Sequence, residues 1–228
     1  MATLTFIGHS TFTLQTDHGA KLVIDPFLTD NPVTEVTPED LEADFILVTH
    51  GHHDHVGDLI PLASQTGATI IASYEIASYM EQKHGCTVSP HHIGGGVSYP
   101  FGYVKMTSAL HGGKLDLPGA EGFTTVPGAF LINLGEGQRF YYAGDTGLSI
   151  EMQLLKGKVD IAALPIGDRF TMGPGDAVTA VDFIEPSVVI PFHYDTWPEI
   201  EQDVSAFVDA VGGLADVQVM QPGAVFEF

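Results

Sequence analysis

The sequence predicts an α/β protein built from two similar β-rich halves packed face to face, with helices outside. Three observations predict it. Short apolar, β-rich segments dominate the first third of the chain, and strands then alternate with helices. The halves echo each other: Lys21-Leu-Val-Ile-Asp25 and Arg139-Phe-Tyr-Tyr-Ala-Gly-Asp145 are both apolar strands that deliver an aspartate at their C-terminal ends. Hydrophobic residues make up 44% of the 228, enough for a substantial core.

The elements follow from local patterning. Residues 4–7, 11–16 and 21–24 read as strands separated by turn residues, including Asp17-His18-Gly19. Residues 45–48 and 68–72 read as buried strands. The spacing predicts a helix over 74–84, with Ser73 as N-cap and Gly85 as its stop. Further strands are expected at 103–110, 129–134, 139–142, 159–164 and 187–192. A helix at 176–184 follows Gly-Pro-Gly and ends before Pro186. A second, at 198–211, carries an apolar stripe of Ile200, Val204, Phe207, Val208 and Val211, and Thr196 with Glu199 resembles a capping box. No linker or low-complexity block divides the chain, so residues 1–228 read as a single domain.

Charge excludes several functions. Eight basic residues face 29 acidic ones, for a net charge of −21. The basic residues are scattered and form no stripe along a phosphate backbone, so long nucleic acid and anionic membrane surfaces are disfavoured as partners. Cys86 is the one cysteine, which rules out an intrachain disulfide and a thiolate metal cluster. The N-terminal residues lack the regions of a signal peptide, and no apolar run approaches the roughly 20 residues that span a bilayer. The expected setting is the cytoplasm.

The chemistry concentrates in residues 49–58, Thr-His-Gly-His-His-Asp-His-Val-Gly-Asp. His50, His52, Asp54 and His55 crowd the end of a buried strand. Desolvating unpaired polar groups there would be costly, whereas neutral imidazole and carboxylate are the donors that zinc, iron and manganese accept. Other strands end in the same residue types. His111 follows residues 104–110, Asp145 follows 140–144, and His193 follows 188–192. Together these residues supply what a two-ion site needs: several nitrogen donors, a carboxylate for each ion and a group able to bridge. His18, His84, His91 and His92 lie outside every motif and read as surface or turn residues.

The ordered set Asp25, His50-x-His52-x-Asp54-His55, His111, Asp145 and His193 resembles the metallo-β-lactamase superfamily. Five further segments resemble a group of metal-dependent hydrolases related to its ascorbate-phosphate lactonase branch: Ile7-Gly-His-Ser10, Ile24-Asp-Pro-Phe-Leu-Thr29, Ala143-Gly-Asp-Thr-Gly147, Leu164-Pro-Ile-Gly-Asp168 with Phe170-Thr-Met-Gly-Pro174, and Ile190-Pro-Phe-His-Tyr194. The resemblance implies a four-layer αββα sandwich. It places His50, His52 and His111 on one divalent ion and Asp54, His55 and His193 on a second. Asp145 bridges, and Asp25 orders the ligand loop through hydrogen bonds. Zinc is the expected metal, with manganese, nickel and iron also compatible.

The implied activity is hydrolysis of a small ester, lactone or phosphoester by a metal-bridging hydroxide, with Asp54 and Asp145 as the catalytic carboxylates. His9, Asp168, Arg169 and Met172 are candidate substrate contacts. His53 fills a variable slot and should point outward. Cys86 lies away from the motifs, so the site lacks the cysteine ligand of the antibiotic-degrading branch. The alternatives are a mononuclear iron oxygenase of the persulfide dioxygenase type and a non-catalytic metal-stabilised binding protein. Relatives of this kind commonly self-associate, so a homo-oligomer is compatible with the resemblance.

Overall fold

The computed structural model describes residues 1–135 and 137–228. The chain groups into two compact units. One comprises residues 1–93, 112–127 and 221–228; the other comprises 94–111 and 128–220.

The first unit holds β1 (Thr3–Gly8), β2 (Thr11–Gln15), β3 (Lys21–Ile24), β4 (Phe45–Leu47), α1 (His53–Val56), α2 (Leu59–Thr66), β5 (Thr69–Ser73), α3 (Tyr74–His84) and β6 (Val88–His91). The second holds β7 (Gly96–Tyr99), β8 (Gly102–Ser108), β9 (Gly128–Leu134), β10 (Arg139–Tyr142), β11 (Ile161–Pro165), α4 (Pro174–Ile184), β12 (Val188–Phe192), α5 (Val204–Val211) and β13 (Asp216–Val217). The chain then returns to the first unit with β14 (Val225–Glu227).

Each unit is organised on one seven-stranded sheet, in the order β14-β1-β2-β3-β4-β5-β6 for the first and β13-β12-β11-β10-β9-β8-β7 for the second. In both, an antiparallel run leads into four mutually parallel strands. The sequence echo therefore has a structural counterpart, because β3 and β10 occupy the same place, where antiparallel pairing gives way to parallel. The same side-chain device fastens both. Asp44 Oδ2 accepts the backbone N–H of Lys21, and Asp160 Oδ2 accepts that of Arg139, each at 2.9 Å. Arg139 adds Nε and Nη2 bonds to Asp160 at 3.0 and 2.7 Å.

Helices cover one face of each sheet. In the first unit, Val23, Ile46, Val48, Ile70 and Ala72 pack against Leu59, Leu62 and Ala63 of α2 and Ile76, Tyr79 and Met80 of α3. In the second, Leu131, Tyr141, Ala162, Leu164 and Val189 pack against Ala177, Ala180, Val181 and Ile184 of α4 and Phe207 and Val211 of α5. The alternate residues of the central strands, such as Ile24, Leu47, Ile71, Phe140, Ala163 and Ile190, are fully buried as well. Burial on both faces explains why the parallel strands read as continuous apolar runs.

Helix 74–84 forms as expected, and Gly85 ends it in the left-handed region at φ 67°. Ser73 stands at the N-cap position, but its hydroxyl makes no capping bond. The expected helix at 198–211 is corrected. A single 3₁₀ turn at Pro198–Ile200 stops at Glu201, whose backbone is extended, and α5 begins only at Val204. The cap is Asp203, whose Oδ1 accepts the N–H groups of Ser205 and Ala206 at 3.0 and 3.1 Å. A side-chain cap inside an apolar stripe restarts the helix, which periodicity alone does not reveal. The surface reading of His91 is also corrected. It ends β6, pairs in register with Ser73 and is 4% exposed, and burial pulls its pKa below the ordinary value. Among the described residues no helix is long and apolar enough to cross a membrane.

Candidate metal centre

Strand direction determines where polar side chains collect. In the first unit β1, β3 and β4 run in one direction, so His9, Asp25 and His50 emerge at one edge of the sheet. In the second unit β8, β10, β11 and β12 share a direction and deliver His111, Asp145, Asp168 and His193 to one edge. These are C-terminal strand edges, where open α/β sheets place their ligands. Backbone strain gathers there too. His9, Asp25, Asp168 and His193 have φ of 57°, 46°, 66° and 56°, a region that residues with a Cβ seldom occupy.

The cluster of the first unit is built on the turn from β4 into α1. Gly51 lies against the segment at 114–116. A Cβ there would come within 2.6 Å of the Lys114 carbonyl oxygen, and the Gly51 carbonyl accepts Asp116 N–H at 2.7 Å. The turn brings His50 Nε2 to 3.0 Å from His52 Nδ1. His55 follows on α1, with its ring centroid 4.1 Å from that of His50. Asp54 Oδ2 stands 4.0 Å from His55 Nε2 and 3.1 Å from His9 Nε2.

Asp25 determines which nitrogens these rings present. Its buried carboxylate accepts Thr49 N–H at 2.8 Å, the Thr49 hydroxyl at 2.7 Å and His55 Nδ1–H at 2.8 Å. Thr49 has a single hydroxyl proton and spends it on Asp25. Its oxygen can then only accept from His50 Nδ1, 3.0 Å away. Asp25 thus holds the protons of His55 directly, and of His50 through Thr49, on the Nδ1 atoms. Nε2 is then the unprotonated nitrogen of each ring and the one a cation would take, the arrangement in which a carboxylate raises the basicity of a ligating imidazole. Thr49 was not singled out in the sequence, although it immediately precedes His50.

Asp58, also unremarked in the sequence, closes the far end of α1. It accepts Leu28 N–H at 2.6 Å, Thr29 N–H at 3.0 Å and the Thr29 hydroxyl, tying the loop after Asp25 to the ligand helix. His53 points outward as expected and meets Asp30 at 3.1 Å.

The cluster of the second unit centres on Asp145. Its Oδ2 lies 3.5 Å from His111 Nε2 and 3.0 Å from His193 Nε2. One carboxylate oxygen between two imidazoles from different strands suits a group shared by two cations. Thr146 stitches the loops that carry them. Its hydroxyl accepts Leu110 N–H at 2.9 Å and donates to the Gly147 carbonyl at 2.7 Å, while its own carbonyl accepts Met172 N–H at 2.9 Å. Gly147 N–H returns to the Leu110 carbonyl at 3.0 Å. Met172 is 1% exposed and belongs to the hydrophobic core of this unit, so packing rather than substrate contact accounts for it. Asp168 and Arg169 are exposed, and the Arg169 guanidinium lies 5.4 Å from the Phe170 ring centroid.

The donor types and their pairwise spacing fit a divalent ion. Two ligand atoms bound at about 2.0–2.1 Å in a tetrahedral set lie about 3.4 Å apart. The His50–His52 pair at 3.0 Å, the Asp54–His55 pair at 4.0 Å and the Asp145–His111 pair at 3.5 Å bracket that value.

A family model described as the beta-lactamase superfamily domain matches residues 3–193. A UPF0173 metal-dependent hydrolase of Heliobacterium modesticaldum is 46% identical over 233 residues, covering 98% of this chain and 96% of that protein. Another from Bacillus subtilis is 44% identical over 230 residues, covering 98% and 99%. A solved metallo hydrolase from the hyperthermophilic archaeon Ignicoccus hospitalis superposes with a TM-score of 0.89 at 36% identity, over 100% of this chain and 99% of that one.

Proposed function

The chain belongs to the metallo-β-lactamase superfamily, with its αββα fold, and is a metal-dependent hydrolase; on that premise we propose that it uses two divalent ions, zinc by preference, to hydrolyse a small ester, lactone or phosphoester. In this reading His50, His52 and His111 hold one ion, Asp54, His55 and His193 hold the other, and Asp145 serves both. Residues 1–228 work as a single hydrolase domain.

The observation that carries the reading is the proton assignment at Asp25. A buried carboxylate orders the tautomers of two histidines so that Nε2 is the atom each would offer a cation. When bound, the ions supply Lewis acidity toward a substrate oxygen and acidify a water. The protein's own part is positional. Asp25 and Thr49 hold the rings of His50 and His55, Thr146 holds the His111 and Asp145 loops in register, and Asp54 is placed to orient a nucleophile and take its proton. Asp168 and Arg169, exposed on the loop after β11, are the proposed substrate contacts.

The test is metal analysis of the purified protein with turnover on a panel of esters, lactones and phosphodiesters. Two redox-inert ions per chain with hydrolysis of one class is expected, and His55→Ala and His193→Ala should each lose one ion and turnover while remaining folded. Full activity in either variant, or one iron per chain with oxygen uptake, would overturn the proposal.

A further inference from the structure

We propose that the Gly8-His9-Ser10 turn is a two-point clamp on Asp54, in which His9 is a positioning residue that fixes the direction of the Asp54 carboxylate and so the affinity of the ion it serves. This rests on the reading of Asp54 as a metal ligand and goes further, assigning the turn to the metal centre rather than to substrate. His9 Nε2 lies 3.1 Å from Asp54 Oδ2. Ser10 Oγ donates to the backbone carbonyl of Asp54 at 2.7 Å. Adjacent side chains therefore grip one residue 45 and 44 positions away, one at its carboxylate and one at its backbone.

The turn is built for this. A tight connection between antiparallel strands favours glycine or asparagine where φ is positive. Here His9 occupies φ 57° and is 1% exposed, so a strained residue is kept where a glycine would serve the turn alone. Its surroundings prevent relaxation. A Cβ on Gly8 would come within 2.9 Å of Val33 Cγ2, and Asn31 Nδ2 donates to the carbonyls of Gly8 and Phe27 at 3.3 and 3.0 Å. Phe27 sets its ring edge-on to His9, with centroids 5.7 Å apart. The loop that carries Phe27 is fastened to the end of α1 by Asp58. Turn, loop and ligand helix form a closed circuit around Asp54.

The role assigned to His9 is hydrogen-bond donation rather than ligation. The 3.1 Å separation lies within the hydrogen-bond range. A nitrogen that donates its proton to Asp54 has no lone pair for a cation.

The experiment measures zinc stoichiometry and affinity by chelator competition, on the full chain stripped of metal and reloaded. Wild type is compared with Asp54→Ala, His9→Ala, His9→Gln and His9→Asn. Gln keeps an N–H near the position of Nε2 but is a poor zinc ligand. Asn tolerates the left-handed backbone yet falls short of Asp54, and it replaces Ala if that variant does not fold. Asp54→Ala should lose one ion. His9→Ala and His9→Asn should bind that same ion about 10–100-fold more weakly, with the other ion unchanged, and His9→Gln should stay within about threefold of wild type. Wild-type affinity in His9→Ala or His9→Asn, beside a clear loss in Asp54→Ala, would overturn the clamp alone. Loss of a whole ion in His9→Gln would make His9 a ligand and also overturn it. Unchanged binding in Asp54→Ala would instead bring down the metal-site reading and the clamp together.

Discussion

Replacing Asp25 with asparagine tests the centre at the point where fold and chemistry meet. The carboxylate is fully buried and accepts three hydrogen bonds, two of them at Oδ2 from the Thr49 hydroxyl and His55 Nδ1. In Asp25→Asn the remaining oxygen keeps Thr49 N–H, but an NH₂ group replaces Oδ2 and faces two donors. The hydroxyl can rotate away. His55 can avoid the clash only by moving its proton to Nε2, which removes the lone pair offered to the cation. Leaving a buried donor unsatisfied costs about 1–3 kcal/mol, so two displaced bonds should lower the stability of the metal-free protein by roughly 2–5 kcal/mol. Metal affinity should fall about 10–100-fold, or about 1.4–2.7 kcal/mol. Urea unfolding of the metal-free protein measures the first quantity, and zinc competition with a chromogenic chelator measures the second. A folded Asp25→Asn protein that binds zinc within about twofold of wild type would refute the tautomer argument.

Other expectations follow from the same packing. Gly51→Ala should destabilise by roughly 1–3 kcal/mol and weaken metal binding, because its Cβ would strike the backbone of Lys114 and Leu115; thermal unfolding with and without zinc reads both. Thr146→Val keeps the shape but strands Leu110 N–H. It should cost about 1–3 kcal/mol in urea and loosen the His111 loop, visible as faster amide exchange at Leu110. His91 is held below its ordinary pKa of 6.5 by burial. As pH falls through that value, the unfolded chain takes up its proton first, so the stability from His91 is full above about pH 6.5 and lost below it. The urea midpoint of His91→Asn should therefore lie below wild type near pH 7, and the gap should narrow toward pH 5; a gap that does not change with pH would contradict this.

The sequence by itself determined the kind of protein. Continuous apolar runs marked the doubly buried strands, and each candidate ligand was legible because it interrupts such a run at its C-terminal end, where a polar group has no place in a core. The echo between Lys21–Asp25 and Arg139–Asp145 was legible as pattern, and in the structure Asp44 and Asp160 fasten the first residues of these two strands in the same way. Tertiary structure alone decided what depends on residues far apart in the chain. Thr49 acquires its role because β3 and β4 pair in a register that brings Asp25 beneath it, with Asp25 N–H bonded to the Leu47 carbonyl at 2.9 Å. His9 reaches Asp54 because β1 and β4 end at one edge of a sheet. His91 proved buried and Met172 a core residue, since burial depends on what folds over a side chain rather than on its neighbours in sequence. Local pattern fixes periodicity and caps, whereas strand order and register decide which distant side chains meet, and neither is written in any short stretch of residues.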